Sequence, residues 1–255
     1  MAIPEERFQP QTASDVLVKA FELYRADWLQ YLMVSAVLVI PVSLLQLGAL
    51  QAVPETSTDP EVFSGPAIAA SLIGVILSLI AQLVVTGALT RSGVGAMAGQ
   101  PIGAAEGLRN GMARVGALLL VVVLQALAVL AGLIALVIPG LIIGVLLSVS
   151  VPAFVVENRR GSTALSRSWK LVKPAFWHSV AVVVLAAIFT AIISEILGRL
   201  GGESIAGRWV FSTIGVLLVI PFTALVTAVL YVELRARGGG LTAADLREDL
   251  ARTAV

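Results

Sequence analysis

From Val115 to Val156 the chain carries no charge at all. As one helix this run would be about 63 Å long, roughly twice the hydrocarbon thickness of a bilayer. It therefore has to double back. The strong breaker near its middle is Pro139-Gly140: proline removes a backbone donor and glycine tolerates a sharp turn. The run predicts two spans, about 115–137 and 140–156, joined by a tight turn. The chemistry then changes at once. Glu157-Asn158-Arg159-Arg160-Gly161 opens a basic segment that ends at Lys173.

Four further apolar runs lie between charged segments: Trp28–Pro54, Val62–Thr90, Pro174–Ser194 and Trp209–Val232. Each is long enough to span. The expected fold is all-α, a polytopic membrane protein of six transmembrane helices at about 28–50, 66–89, 115–137, 140–156, 175–198 and 209–233. Composition agrees. Only 13% of residues are charged and mean hydropathy is +0.97, against about 25% charge in a soluble domain. All but two of the Lys and Arg residues fall in the segments that share a side with the N-terminus; Arg199 and Arg208 fall on the other. By the positive-inside rule both termini are expected to be cytoplasmic, in the cell membrane. The polar segment before Trp28 predicts an uncleaved signal anchor rather than a cleaved signal.

The inner segments carry helical patterns of their own. Leu17, Phe21, Tyr24 and Trp28 share one helix face, behind a Thr12/Asp15 start signal. Leu165, Trp169, Val172 and Phe176 repeat that spacing, with Arg167, Lys170 and Lys173 on the opposite side. Residues 103–114 hold the equivalent place before the third span, although Gly107 and Gly111 cost helix stability there. The placement predicts three units, each an amphipathic inner helix followed by two spans. Beyond the last span, 238–255 reads as a flexible Gly238-Gly239-Gly240 link and a short cytoplasmic helix over about 243–252, started by Thr242 and Asp245, with Leu241 and Leu246 at the staple positions.

Candidate site residues fall into three groups. Arg159, Arg160, Arg167, Lys170 and Lys173, with Trp169, form the densest basic cluster, suited to lipid headgroups at an inner surface; the plainer reading is the positive-inside rule alone. Gln46, Gln82, Gln125 and Glu195 are intramembrane polar residues. The glutamines either line a polar path or join helices, and Glu195 stands one turn before Arg199 as an interfacial ion pair. Gly140, Gly144, Ser148 and Pro152 on the fourth span, and Ala70, Gly74 and Ser78 on the second, recur every four residues as small helix-packing positions, within the chain or between copies. His178 has no second histidine, no cysteine and no close carboxylate in sequence. No phosphate loop, zinc-protease helix or nucleophile elbow is present. No metal and no cofactor are expected, and a net charge of +1 gives no reason to expect nucleic acid.

From Ile138-Pro139-Gly140 onward the chain resembles the membrane domain of glycerophosphodiester phosphodiesterase proteins and its stand-alone bacterial relatives. The resemblance rests on that tripeptide, on Pro152 and Glu157, and on Ala164-Leu165-Ser166-Arg167-Ser168-Trp169-Lys170-Leu171-Val172-Lys173 with Phe176-Trp177. Tyr231-Val232-Glu233-Leu234-Arg235-Ala236-Arg237 and, early on, Ala20-Phe21-Glu22-Leu23-Tyr24-Arg25 are similar as well. In that family hydrolysis belongs to a separate soluble domain with metal-binding histidines. With one histidine here, that domain is expected to be absent, and no catalytic residue carries over. The resemblance implies a membrane module associated with lipid-related proteins. The reading from sequence is a non-enzymatic integral membrane protein that binds lipid, anionic lipid in particular, or scaffolds a protein partner or a second copy at the inner leaflet. The alternative is a small-solute or lipid transporter, in which proline-broken helices and intramembrane glutamines line the path.

Overall fold

The computed structural model describes residues 8–51 and 65–253. All regular structure among them is helical: α1 (Ala13–Ala26), α2 (Trp28–Gln51), α3 (Gly65–Met97), α4 (Ala104–Ala113), α5 (Val115–Ala135), α6 (Val137–Leu146), α7 (Ser150–Glu157), α8 (Ser162–Val172), a 3₁₀ turn at Lys173–Ala175, α9 (Phe176–Leu200), α10 (Ile205–Arg237) and α11 (Ala243–Arg252). Six stretches are long and apolar enough to cross a membrane, the fourth of them made of α6 and α7 together. The chain is an all-α polytopic membrane protein.

The short surface helices begin where their capping residues put them. Thr12 and Asp15 make a reciprocal capping box at α1, and Thr242 and Asp245 make one at α11. Hydrogen bonds from the Thr12 hydroxyl and amide hold the Asp15 carboxyl below its usual range, and those from the Thr242 amide and hydroxyl do the same at Asp245. Both caps are therefore complete above about pH 4 and weaken as pH falls through the lowered values. Gly239 and Gly240 take positive φ, 105° and 74°, and the turn they form lays α11 back on the bundle with Leu241, Leu246 and Leu250 buried. The tail is a docked helix, tied by Arg91 to the Leu250 carbonyl at 2.9 Å and to the Thr253 hydroxyl at 2.7 Å.

The long uncharged run departs from expectation twice. Its turn is at Leu136, in extended conformation (φ −168°, ψ 152°), and not at Pro139-Gly140. Pro139 sits in the first turn of α6, where a missing N–H costs nothing. Gly140 serves the return path instead: a Cβ there would lie 2.5 Å from Leu133 Cγ and 2.8 Å from Leu133 N. The fourth span, expected as one helix, is broken at residues 147–149, and Pro152 again lies in a first turn, that of α7. The Gly140–Gly144–Ser148–Pro152 series is therefore not one helix face. Gly144 only reaches Val129, at 4.0 Å, and Ser148 is in the break.

A break inside a membrane leaves backbone groups that must find partners. Ser168 of α8 supplies them. Its hydroxyl donates to the Leu146 carbonyl at 2.8 Å and accepts from the Val149 amide at 3.3 Å, while Ser150 donates to the Leu147 carbonyl at 2.7 Å. Ser168 is fully buried between Ala164 and Val172. The packed stripe of α8 thus shares Val172 with the expected Leu165–Trp169–Val172–Phe176 face, but Ala164 and Ser168 take the places expected of Leu165 and Trp169. Small side chains let α8 approach α7 closely, and Trp169 is left 42% exposed.

The three predicted units pack in a ring. Each inner helix lies on the second span of the preceding unit: α4 on α3, α8 on α7, and α1 on α10. The second spans form the centre: 44%, 44% and 56% of their most apolar 18 residues are buried, against 22%, 17% and 11% for the first spans α2, α5 and α9. Gly107 and Gly111 have their use here. A Cβ on Gly111 would fall 2.9 Å from the Val84 carbonyl oxygen, so the two glycines let α4 press on the α3 backbone.

Replacing Ser168 with Ala should lower stability by about 1–3 kcal/mol, because it strands a buried carbonyl and a buried amide together. Thermal unfolding in detergent measures this; an unchanged midpoint would remove Ser168 from the fold's requirements.

Candidate functional site at the charged end

Alternating span direction brings the starts of α2, α5 and α9 and the ends of α3, α7 and α10 to one side, where α1, α4, α8 and α11 also lie. The last turns of α10 organise this end. Residues two apart on a helix point to roughly opposite sides, about 200° around the axis. Tyr231 and Arg235 thus face α7, α8 and α11, whereas Glu233 and Arg237 face α1 and α9.

The first cluster centres on Glu157, the last residue of α7, whose side chain is 9% exposed. Its Oε1 accepts from the Tyr231 hydroxyl at 2.7 Å and from Arg167 Nε at 2.9 Å. Arg159 Nε reaches Oε2 at 3.3 Å, and Arg235 Nε lies 3.8 Å from Oε1. Arg235 also donates to Asp249 of α11 at 2.7 Å and to the Tyr231 oxygen at 3.2 Å. The second cluster centres on Glu233, 1% exposed. It pairs with Arg237, and His178 Nε2 lies 3.3 Å from its Oε2. Arg237 Nη2 donates to the Gln11 carbonyl at 2.9 Å and lies 3.4 Å from His178 Nδ1. His178 therefore does have a close carboxylate, supplied by the next span rather than by its own. A cavity of about 220 Å³ adjoins Glu233, lined by Gln9, Gln11, Lys19 and Met97 among others.

The expected basic cluster divides. Arg167 and Arg159 are held on Glu157. Arg160, Lys170 and Lys173 are exposed and enter no ion pair among the described residues, and Trp169 and Trp177 stand exposed beside them. Glu195 does pair with Arg199, at 2.8 Å, at the opposite end of the bundle. Gln82 is exposed on α3 and lines two intramembrane cavities: one of about 60 Å³ with Ser43 and Ser78, the other of about 330 Å³ with Ser194 and Ser212. Gln125 is half-buried on α5 and lines neither. The side chains of Gln46 and Ala70 lie outside the described residues; Gly74 and Ser78 are half-buried.

No local pattern singles out Glu157, Tyr231, Glu233, Arg235 or Ser168. They all lie in the segments on which the expected resemblance rests, which meet at this end. Compared with protein-family models, with curated proteins and with solved structures, the chain matches none.

Glu157→Ala should cost about 3 kcal/mol, since it leaves Arg235 and Arg167 facing a poorly hydrated gap, while Tyr231→Phe should cost about 1 kcal/mol. Thermal unfolding of both variants side by side tests this. Equal, small effects would mean that the cluster is screened by solvent.

Proposed function

We propose that this is a non-enzymatic integral membrane protein whose charged end holds anionic lipid headgroups at the inner leaflet, as a membrane module of the kind it resembles. The observation that carries the reading is the unpaired surface of α8 and its flanks. Arg160, Lys170 and Lys173 have no acidic partner among the described residues and stand beside the exposed rings of Trp169 and Trp177. Basic side chains neighbouring interfacial tryptophans match a headgroup layer: the cations meet phosphate while the indoles sit at the boundary with the acyl chains. Arg167 is committed to Glu157 at 2.9 Å, whereas Arg159, 54% exposed, reaches it through Nε and still presents its terminal nitrogens at this surface. The excess of positive residues at this end supports its cytoplasmic placement.

A second reading, transport of a small solute or lipid, is favoured by the groove of about 330 Å³ that Gln82 shares with Ser194 and Ser212 between α3, α9 and α10. Flux in proteoliposomes that falls when Gln82 is replaced by Leu would move the assignment to that reading.

The test of the leading reading is native mass spectrometry of protein extracted gently from its own membrane. Wild type should retain anionic lipid, and changing Arg160, Lys170 and Lys173 together to Gln should strip most of it while leaving the thermal midpoint in place. Equal retention by both proteins would contradict the reading.

A further inference from the structure

Three arginines, Arg91, Arg114 and Arg160, lie near one another at the charged end, and none has an ion-pair partner among the described residues. Arg91 of α3 is 4% exposed. Among the described residues its terminal nitrogens donate to neutral oxygens, the Thr253 hydroxyl and the Leu250 carbonyl, and its buried Nε has no hydrogen-bond partner. Arg114, the residue before α5, is half-buried and forms no ion pair among the described residues. Burial, and then the nearby charge of Arg160, push it below the usual arginine value. Glu106 is the carboxylate whose field reaches Arg91, but it is exposed on α4 and not within ion-pair distance. Arg91 and Arg114 line one small cavity with Gly87, Asn110, Gly111 and Thr253. Its enclosed part is about 10 Å³, the room a single oxygen-sized group takes.

Buried or crowded like charges are expensive unless an opposite charge joins them. Guanidinium groups are also the side chains best shaped to grip phosphate. We propose that Arg91, Arg114 and Arg160 form an anion site that takes a phosphate group, either the phosphate of a lipid headgroup or free inorganic phosphate. Arg114 and Arg160 hold the group at the mouth. One oxygen points into the small recess, and Arg91, locked to α11 behind it, supplies fixed charge. The site shares only Arg160 with the α8 surface and does not rest on the lipid reading given above.

The test uses the full chain in a neutral detergent, with inorganic phosphate titrated against chloride at matched ionic strength and co-purified phosphatidylglycerol counted by native mass spectrometry. Arg114→Gln and Arg160→Gln are made at the rim, with the midpoint in the absence of phosphate checking that each variant is folded; Arg91→Lys keeps the inner charge. If the ligand is free phosphate, it raises the thermal midpoint of the wild type, and either rim variant weakens this effect by about tenfold, the loss of one charge-assisted hydrogen bond. If the source is lipid, free phosphate has little effect and the rim variants retain less phosphatidylglycerol. Identical phosphate response and identical lipid content in wild type and both rim variants would overturn the proposal. Lys170→Gln with Lys173→Gln should leave the Arg114-dependent signal intact, so this site and the α8 surface fail or stand separately.

Discussion

A carboxylate at the end of a membrane span has to be surrounded by donors, and the charged end is built to do this for Glu157. Three donors converge on it, Tyr231 from α10, Arg167 from α8 and Arg159 from the connection between α7 and α8, and the charge of Arg235 on α10 lies 3.8 Å away. Arg235 passes the linkage on to Asp249 of α11. One side chain thereby fixes the mutual placement of four helices. Two residues along α10 from Tyr231, Glu233 does the same on the opposite side, gathering Arg237, His178 and, through Arg237, the segment before α1. Buried ion pairs add little net stability once their desolvation is counted. Their effect here is specificity, because any other docking of α8 or α11 would leave a charge alone.

The apolar part of the bundle sets up this arrangement. Second spans pack at the centre and first spans face lipid, and each inner helix reaches across to the unit before its own. The ring means that no unit completes its core by itself. It also explains why the fourth span tolerates a break. Ser168 arrives from the next unit's inner helix with one donor and one acceptor for the two freed backbone groups, so the break is a socket for α8. The same helix turns Ala164, Ser168 and Val172 to the bundle and Lys170 outward. Its buried stripe fixes which basic residues remain free.

Much of this plan is legible in sequence because it rests on local rules. Run length gives the six spans, charge placement gives the shared end, and the Thr12/Asp15 and Thr242/Asp245 pairs give the starts of α1 and α11. The failures have physical causes. Pro139 reads as a turn, yet proline fits equally well in a helix's first turn, and that is where both Pro139 and Pro152 sit. Apolar bulk points to the wrong face of α8, because close helix contact favours the small Ala164 and Ser168. His178 and Glu233 carry no local signal, since they stand on different spans. The alternation Tyr231, Glu233, Arg235, Arg237 is visible, but only the helix that carries it reveals that it serves two clusters on opposite sides.

The most direct test of the central claim is hydrogen exchange, read helix by helix, in wild type and in Glu157→Gln. Exchange should quicken in α8 and α11 together, with α1 and the start of α9 unchanged because Glu233 still holds them. Faster exchange in α8 alone, or an even loosening of the whole bundle, would contradict the idea that Glu157 ties these helices into one unit.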